Sequence, residues 1–242
     1  MPSAIDLGAL EAVAYELWVA PEVEELDGWR LRFAHGLTGR ANSVWPNGDG
    51  SGLLDERIER VEGWYRARFQ PVMFQITDAA RPAGLDSMLE ERGYGFRGEP
   101  VSVRVAALDD VIDGTAGEAE LTELLDDAWV ALWAGSRRFE RIDVARVLLA
   151  GGRSAFARVG DVAVGRGVAV GDWLGVTSMA TLAEARRRGY GRAILQTLAR
   201  WGRAEGCTRA LLQVEHGNVA AEMLYEGAGF VAHHDYRYRL LR

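Results

Sequence analysis

The chain has 242 residues, a net charge of −7 and a composition that is 48% hydrophobic and 26% charged, as in ordinary folded globular proteins. The acidic balance argues against general nucleic-acid binding, and the absence of an apolar run of about 18 residues argues against a membrane span. Cys207 is the only cysteine, which excludes an internal disulfide, and together with an N-terminus unlike a signal peptide it predicts a cytoplasmic protein.

The elements of the first half are predicted from hydrophobic periodicity and turn residues. In chain order they are a helix at 7–18, strands at 28–34 and 41–46, a helix at 53–69, a strand at 71–76, a helix at 83–93 and a strand at 99–108. The acidic, glycine-containing stretch 109–118 has weak patterning and is predicted to be a linker. The predicted domains are therefore 1–108 and 119–242.

The second half shows clearer patterning, with Gly160-Asp161 as a turn signal and Asn218 as a helix N-cap. In chain order the predicted elements are helices at 119–134 and 139–151, strands at 153–160, 161–171 and 172–182, a helix at 190–204, a strand at 208–215, a helix at 218–229 and a strand at 234–241. This order predicts a mixed α/β sheet with flanking helices.

A possible internal repeat connects the two halves. The segment "MFQI" precedes "DSMLEERGY" much as "LLQV" precedes "AEMLYEGAGF". Aligning 93–94 with 229–230 places Leu89 at the position of Tyr225. The matching order of elements predicts a degenerate duplicated fold.

The segment "EARRRGYGRAIL" runs from a strand through a glycine-containing loop into a helix. The first amides of a helix have no intrahelical acceptor and the macrodipole is positive there, so this arrangement predicts an anion site. Gly189 and Gly191 allow close approach to the backbone. Charge-assisted donors are added by Arg186, Arg187, Arg188 and Arg192. The loop matches neither a Walker loop nor a full dinucleotide fingerprint.

Two motifs together resemble the signatures of the GNAT acetyltransferase superfamily. "RRRGYG" fits its pyrophosphate loop, Arg/Gln-x-x-Gly-x-Gly/Ala, and the strand before the loop looks like the superfamily's fourth strand. Asn218, Ala221 and Tyr225 in "NVAAEMLYEGAGF" resemble its second signature, Asn-x-x-Ala-x-x-x-Tyr followed by Gly-Phe. The resemblance covers 119–242, and the first half looks like a degenerate relative in a tandem arrangement.

The resemblance implies an α/β fold with a mixed, mostly antiparallel twisted sheet, and acetyl-CoA as co-substrate without a metal. The backbone of Met179, Ala180 and Thr181 would pair with the pantetheine arm. Asn218 would contact the pantetheine or hold the splayed strands, and Ala221 belongs to the implied coenzyme site. The implied pyrophosphate loop comprises Arg186, Arg187, Arg188, Gly189, Tyr190, Gly191, Arg192 and Ala193.

The implied reaction is direct attack of a primary amine on the thioester in a ternary complex. Tyr225 would protonate the departing thiolate or hydrogen-bond it, because a phenol stays protonated at neutral pH. Glu215 is a candidate general base, although it is equally explained as a solvated charge at a strand end. Water chains are a further route for the proton.

The first half lacks the residues of a coenzyme site. Its "PNGDGSG" segment (46–52) has glycines but no arginine, and Asp49 would repel a pyrophosphate. Leu89 stands where the thiol-facing tyrosine would be. This half either builds one wall of the acceptor pocket or is purely structural. The candidate wall residues are Arg30, Arg32, Asn42 and Trp45.

Two other functions stay open at this point. A non-catalytic acyl-CoA-binding or regulatory module would show the same motifs. A nucleic-acid binder that uses the three arginines fits the acidic chain poorly. For the transferase, the expected partner is a small-molecule or peptide amine, with no nucleic acid and no membrane, and the expected state is a monomer or a homodimer.

Overall fold

The computed structural model describes residues 5–113, 117–137 and 141–241. The chain divides into two compact units. The first unit comprises 1–11, 20–101 and 234–242, and the second comprises 12–19 and 102–233. The prediction placed the domain boundary in a linker at 109–118. The boundaries of the two units fall instead within or next to helices and strands.

The first unit is built on a sheet with one helix pair packed on it. Its elements are α1 (Leu7–Glu16), which continues into the second unit, β1 (Glu22–Leu26), β2 (Trp29–Phe33), β3 (Val44–Pro46), α2 (Leu54–Arg66), β4 (Met73–Ile76), α3 (Leu85–Glu91) and the start of β5 (Gly95–Ala107). The strand order is β1-β2-β3-β4-β11, where β11 is Val231–Leu240. In the described part of the chain, β3 pairs with β4 in parallel, whereas β1 with β2, β2 with β3 and β4 with β11 pair antiparallel. A core that includes Ile58, Leu89 and Phe74 fills the space between sheet and helices.

The second unit contains the larger share of regular structure. After the end of β5 its elements are α4 (Leu108–Ile112), β6 (Glu120–Thr122), α5 (Asp127–Arg137), α6 (Ile142–Leu149), β7 (Arg153–Val159), β8 (Ala163–Val170), β9 (Trp173–Thr181), α7 (Tyr190–Ala204), β10 (Arg209–Glu215), α8 (Val219–Glu226) and the start of β11. The strand order is β5-β10-β9-β8-β7-β6. Strands β6 to β9 pair antiparallel in sequence order, and β10 lies parallel to β9.

The prediction of a helix over 119–134 was wrong in its first half. The segment forms strand β6, in which Leu121 pairs with Ala157 of β7. The helix starts later because the Asp126 carboxylate accepts a hydrogen bond from the Trp129 amide at 2.7 Å and so caps it. Leu124, which completes the apparent helical stripe, is 80% exposed.

Other differences lie at element ends. Strand β1 had not been predicted, and β5 and β11 start earlier than expected, at Gly95 and Val231. Helix α4 occupies part of the predicted linker, where Leu108 and Val111 are buried in the core of the second unit. Residues 114–116 of the linker and 139–140 of the predicted helix at 139–151 lie outside the described residues.

The predicted helix at 190–204 is confirmed at both ends. Its buried stripe, which includes Ile194, Leu198 and Trp201, packs on β8 and β9. Glycines in the sheet allow this close contact: a Cβ at Gly167 would lie 3.1 Å from Leu174 and 3.2 Å from Leu198. The middle of α7 is thereby held close to β8 and to the start of β9.

The proposed alignment of the two halves is matched by the turns that follow α3 and α8. Gly93 and Gly229 have φ of +88° and +86°, a left-handed conformation that favours glycine. The amide after each glycine donates to the carbonyl five residues earlier, Tyr94 to Leu89 at 2.9 Å and Phe230 to Tyr225 at 3.0 Å. Leu89 and Tyr225 therefore hold equivalent places before equivalent turns.

Candidate active site

A β-bulge interrupts the pairing of β9 with β8. Val164 pairs with Ala180 and Arg166 with Thr177, so the single residue Gly165 faces two residues of β9. One of these, Ser178, has a φ of +55°. The other is Met179, whose sulfur would lie 2.5 Å from a Cβ at Gly165. Only glycine at 165 leaves room for this side chain.

The pairing of strands β9 and β10 ends just before the bulge. Their parallel pairing extends from Trp173–Arg209 to Val176–Leu212, while β9 continues to Thr181 and β10 to Glu215. We call this opening the fork, and it comprises residues 177–181 of β9 and 213–215 of β10. The backbone of Met179, Ala180 and Thr181 lies in it.

The loop between β9 and α7 presents backbone amides. Arg187 and Gly189 have positive φ values of +60° and +80°, and α7 starts at Tyr190. The first amide with a helical acceptor is that of Ala193, which donates to the Gly189 carbonyl at 3.0 Å. The amides of 190–192 therefore have no acceptor within the helix and, with the helix dipole, form an anion cradle.

The side chains around the loop divide into two groups. Arg186, Arg187 and Arg188 are exposed. Arg192 instead donates from Nη1 to the Gly227 carbonyl at 2.7 Å, at the C-terminal end of α8. Its guanidinium was expected to add charge to the loop, but it caps α8, because its helix position faces that end. A Cβ at Gly191 would lie 3.0 Å from Leu224, so this glycine also lets α7 approach α8.

Asn218 caps α8 as predicted, since its side-chain oxygen accepts from the Ala221 amide at 3.4 Å. Ala221 packs against the core of the second unit. Tyr225 is 7% exposed and packs edge-on against Phe230, with ring centroids 6.0 Å apart. Glu215 is exposed at the end of β10, and its carbonyl accepts from the Asn218 amide at 3.2 Å.

Comparison with known proteins identifies this arrangement. A family model described as "Probable histone acetyltransferase Rv0428c C-terminal" matches residues 4–239. The probable histone acetyltransferase Rv0428c of Mycobacterium tuberculosis is 31% identical over 246 residues, which cover 95% of this chain and 72% of that protein. The chain belongs to this acetyltransferase family. It is an acyltransferase of the GNAT type.

Solved structures show the same fold at low sequence identity. A GCN5-related N-acetyltransferase from Kribbella flavida aligns with a TM-score of 0.71 at 15% identity, covering 98% of this chain and 96% of that one. A tandem GNAT protein from the clavulanic acid biosynthesis pathway aligns with a TM-score of 0.58 at 12% identity, covering 77% and 69%. The predicted fold class, a mixed and mostly antiparallel GNAT sheet with flanking helices, is confirmed.

The fork of this acetyltransferase contains polar atoms that sequence analysis missed. Thr177 Oγ1, Ser178 Oγ and Gln213 Oε1 are buried and have no hydrogen-bond partner within the described parts of the chain. Buried polar atoms are usually paired, so three at one place are unusual. The available signal was weak, namely polar residues within the apolar strands "WLGVTSMAT" and "RALLQVE".

The corresponding loop of the first unit has a different interior. The Arg57 guanidinium is buried there and donates to the carbonyls of Asp27 at 2.9 Å and Asp49 at 2.7 Å. A Cβ at Gly50 would lie 2.3 Å from Arg57 Nη1. Burial lowers the pKa of Arg57, against the raising effect of Asp27 and Asp49. The guanidinium thus fills the loop and is held by one carbonyl of the loop and one of the β1–β2 turn, which supports the prediction that the loop does not take a pyrophosphate.

Two of the four candidate wall residues of the first unit are committed to internal bonds. Arg32 is buried and donates to Ser43 and Gln75. Asn42 accepts from the amides of Ala34 and Gly36 and donates to Thr38. Both side chains hold strands and turns together, so their presence is explained by a structural role and does not require a role in an acceptor pocket. The other two contact each other, with the Arg30 guanidinium 5.3 Å from the Trp45 ring.

No cluster of His, Cys, Asp and Glu that could hold a metal occurs among the residues the structure describes. Within the same residues, no helix is long and apolar enough to cross a bilayer.

Proposed function

We propose that the protein transfers an acetyl group from acetyl-CoA to a primary amine by direct attack in a ternary complex, and that the second unit performs the chemistry. The observation that carries the proposal is the position of the anion cradle directly after the bulged strand of the fork. A coenzyme with a pyrophosphate at one end and an extended amide-containing arm at the other needs these two features in sequence.

The described residues fit acetyl-CoA. The strand edge at Met179, Ala180 and Thr181 lies beyond the last pair with β10, so its amides and carbonyls can bind the two pantetheine amides like an added strand. The amides of 187–192 can surround the pyrophosphate, with Arg186, Arg187 and Arg188 as exposed charges around it. Asn218 and Ala221, at the start of α8, complete the coenzyme side of the site.

The chemistry asks little of an acid. A thiolate leaving group has a pKa near ~8.5, and a phenol near ~10 can donate to it while remaining protonated at neutral pH. We assign this donation to Tyr225, which is held in the core of the second unit. We assign to Glu215, which is exposed at the end of β10, the role of receiving the proton of the amine through water. Most of the rate enhancement comes from positioning the amine and the thioester.

For the amine that receives the acetyl group, we propose a chemical class rather than one compound. The relative from Mycobacterium tuberculosis is named a probable histone acetyltransferase, so a lysine side chain belongs in the first panel of substrates. Ethanolamine, spermidine and glucosamine represent small primary amines of other shapes.

The test has two parts. Acetyl-CoA is expected to raise the melting temperature, because a ligand that binds the native state stabilises it by mass action. Thiol release with N-α-acetyl-lysine amide, ethanolamine, spermidine or glucosamine is expected above the rate without amine. A melting shift without transfer to any of these amines would favour the non-catalytic coenzyme-binding module instead. No shift at millimolar acetyl-CoA would contradict both.

A further inference from the structure

A row of polar side chains crosses the second unit on one face of its sheet. Arg166 of β8 is the cross-strand partner of Thr177 in β9. Thr177 follows Val176, and Gln213 follows Leu212, in the last parallel pair of β9 and β10. Since side chains alternate along strands, Thr177 and Gln213 lie on the same face, opposite the core residues Val176 and Leu212.

The side chains of this row become more exposed from β8 toward β10. Arg166 is 1% exposed and Thr177 is 7% exposed, while Gln213 is only partly buried. The terminal nitrogens of Arg166 donate to the carbonyls of Leu17 and Gly151, and its Nε is buried without a partner among the described residues. Gln213 is therefore the most exposed member of the row, and Thr177 lies between it and Arg166.

These two side chains offer hydrogen-bond acceptors. Gln213 Oε1 can only accept, and Thr177 Oγ1 has two lone pairs. Both atoms are buried without a partner among the described residues, and a fold tolerates such a cost where a ligand or water restores the bond. Two acceptors side by side match a group with two N–H hydrogens, which a neutral primary amine has.

We propose that Thr177 Oγ1 and Gln213 Oε1 accept the two N–H hydrogens of the neutral primary amine and so aim its lone pair at the thioester carbon. This assignment rests on the proposed transferase function. In the step, the nitrogen bonds to the carbonyl carbon and the C–S bond breaks. One N–H hydrogen leaves as a proton, the sulfur gains a proton, and the other hydrogen stays on the amide nitrogen.

The pair predicts selectivity for primary over secondary amines. A secondary amine has one N–H in its neutral form, so one buried acceptor would stay unpaired, and a site built to bond a group rejects analogues that lack it. The ratio of kcat/KM for a primary amine to that for its N-methyl analogue measures this. The probes are N-α-acetyl-lysine amide with its Nε-methyl analogue, and ethanolamine with N-methylethanolamine.

The variants are Thr177→Val and Gln213→Leu, which remove the acceptors at similar size. We expect at least a tenfold loss of kcat/KM for the primary amine, a collapse of the primary-to-secondary ratio, and an unchanged KM for acetyl-CoA. Thr177→Ser keeps the hydroxyl and should restore the ratio. Thr208→Val, an exposed threonine before the opposite end of β10, is the matched control and should behave as wild type.

Melting temperatures separate this role from a structural one. Removing unpaired buried oxygens should leave the melting temperature of the coenzyme-free protein unchanged or higher. A variant that melts several degrees lower would show that the removed oxygen makes a stabilising hydrogen bond within the protein, and this would overturn the assignment. If both variants transfer acetyl groups at the wild-type rate and keep the primary-to-secondary ratio of kcat/KM, this assignment is overturned while the proposed function stands. If acetyl-CoA does not raise the melting temperature of the wild-type protein, the proposed function and this assignment are overturned together.

Discussion

The two units each have a glycine-containing loop before a helix, and different backbone groups point into the two loops, amides in one and carbonyls in the other. In the second unit, the loop before α7 presents amides from a left-handed Arg187 and Gly189. In the first unit, Asp49 of the loop before α2 and Asp27 of the turn between β1 and β2 present their carbonyls to the buried guanidinium of Arg57. Glycine content alone therefore does not define an anion site. The direction of the peptide groups and what fills the space decide its charge preference.

The largest expected effect concerns the loop before α2, which the Arg57 guanidinium fills. Arg57→Met would leave the carbonyls of Asp27 and Asp49 without their donor, at about 1–3 kcal/mol for each buried acceptor. We therefore expect a loss of about 3 kcal/mol in the free energy of unfolding, measured by urea denaturation. The coenzyme-induced melting shift should persist, because the cradle lies in the other loop.

Arg60→Met is the matched control on the same helix. Arg60 pairs with the Asp27 carboxylate at 2.7 Å, and its side chain is 60% exposed. An exposed ion pair contributes about 0.2–1 kcal/mol. Equal losses in the two variants would contradict the view that the buried guanidinium holds the loop.

The next effect concerns the loop before α7 in the second unit. Gly189→Ala should cost about 1–2 kcal/mol of stability, because alanine is strained in the left-handed region. It should also weaken acetyl-CoA binding at least about tenfold, since moving the amides loses charge-assisted hydrogen bonds. Calorimetric titration with acetyl-CoA measures the binding loss.

Gly206→Ala supplies the control at the other end of α7. Gly206 has a φ of +89°, and like Gly189 it has no atom within 4 Å of an added Cβ. The strain should be the same while binding stays unchanged. If both variants lose affinity equally, the effect is a general one on α7, and the cradle is not the cause.

A third, smaller effect concerns the equivalent positions Tyr225 and Leu89. Both precede the same kind of turn, yet only the second unit has a hydroxyl there. Tyr225→Phe should lower kcat about tenfold to a hundredfold, less than many general acids supply, because a thiolate leaves readily. The acetyl-CoA melting shift should be retained. Unchanged turnover would remove Tyr225 from the mechanism and leave the aromatic ring as ordinary core packing against Phe230.

The sequence predicted those features that depend on local periodicity and capping. Helix α7 has its apolar stripe and left-handed glycines at both ends, and Asn218 caps α8. The stripe that included Leu121 and Leu124 misled because leucine spacing does not reveal which residues are buried.

Features that depend on distant partners were not predictable. The partner of Arg57 at Asp27 is 30 positions away in sequence. The bulge at Ser178 requires a positive φ at a residue type that seldom adopts it. Thr177 and Gln213 became candidates only when the register placed them side by side at a fork without partners.

The smallest expected effect concerns the three arginines that dominate the loop's sequence. Arg186, Arg187 and Arg188 are exposed, and Arg186 Nε makes only a long hydrogen bond of 3.4 Å to the Thr181 carbonyl. Exposed charge pairs contribute about 0.2–1 kcal/mol each and are screened by salt. Replacing all three with glutamine should weaken acetyl-CoA binding at least about threefold at low ionic strength.

Salt distinguishes the arginines from the amides. The Debye length falls from about 10 Å at 0.1 M to about 3 Å at 1 M, so the affinities of the triple variant and wild type should converge at high salt. The loss in Gly189→Ala should persist there, because hydrogen bonds from positioned amides are short-range. A triple variant that binds as poorly as Gly189→Ala at every salt concentration would show that the guanidinium groups, rather than the backbone, hold the pyrophosphate.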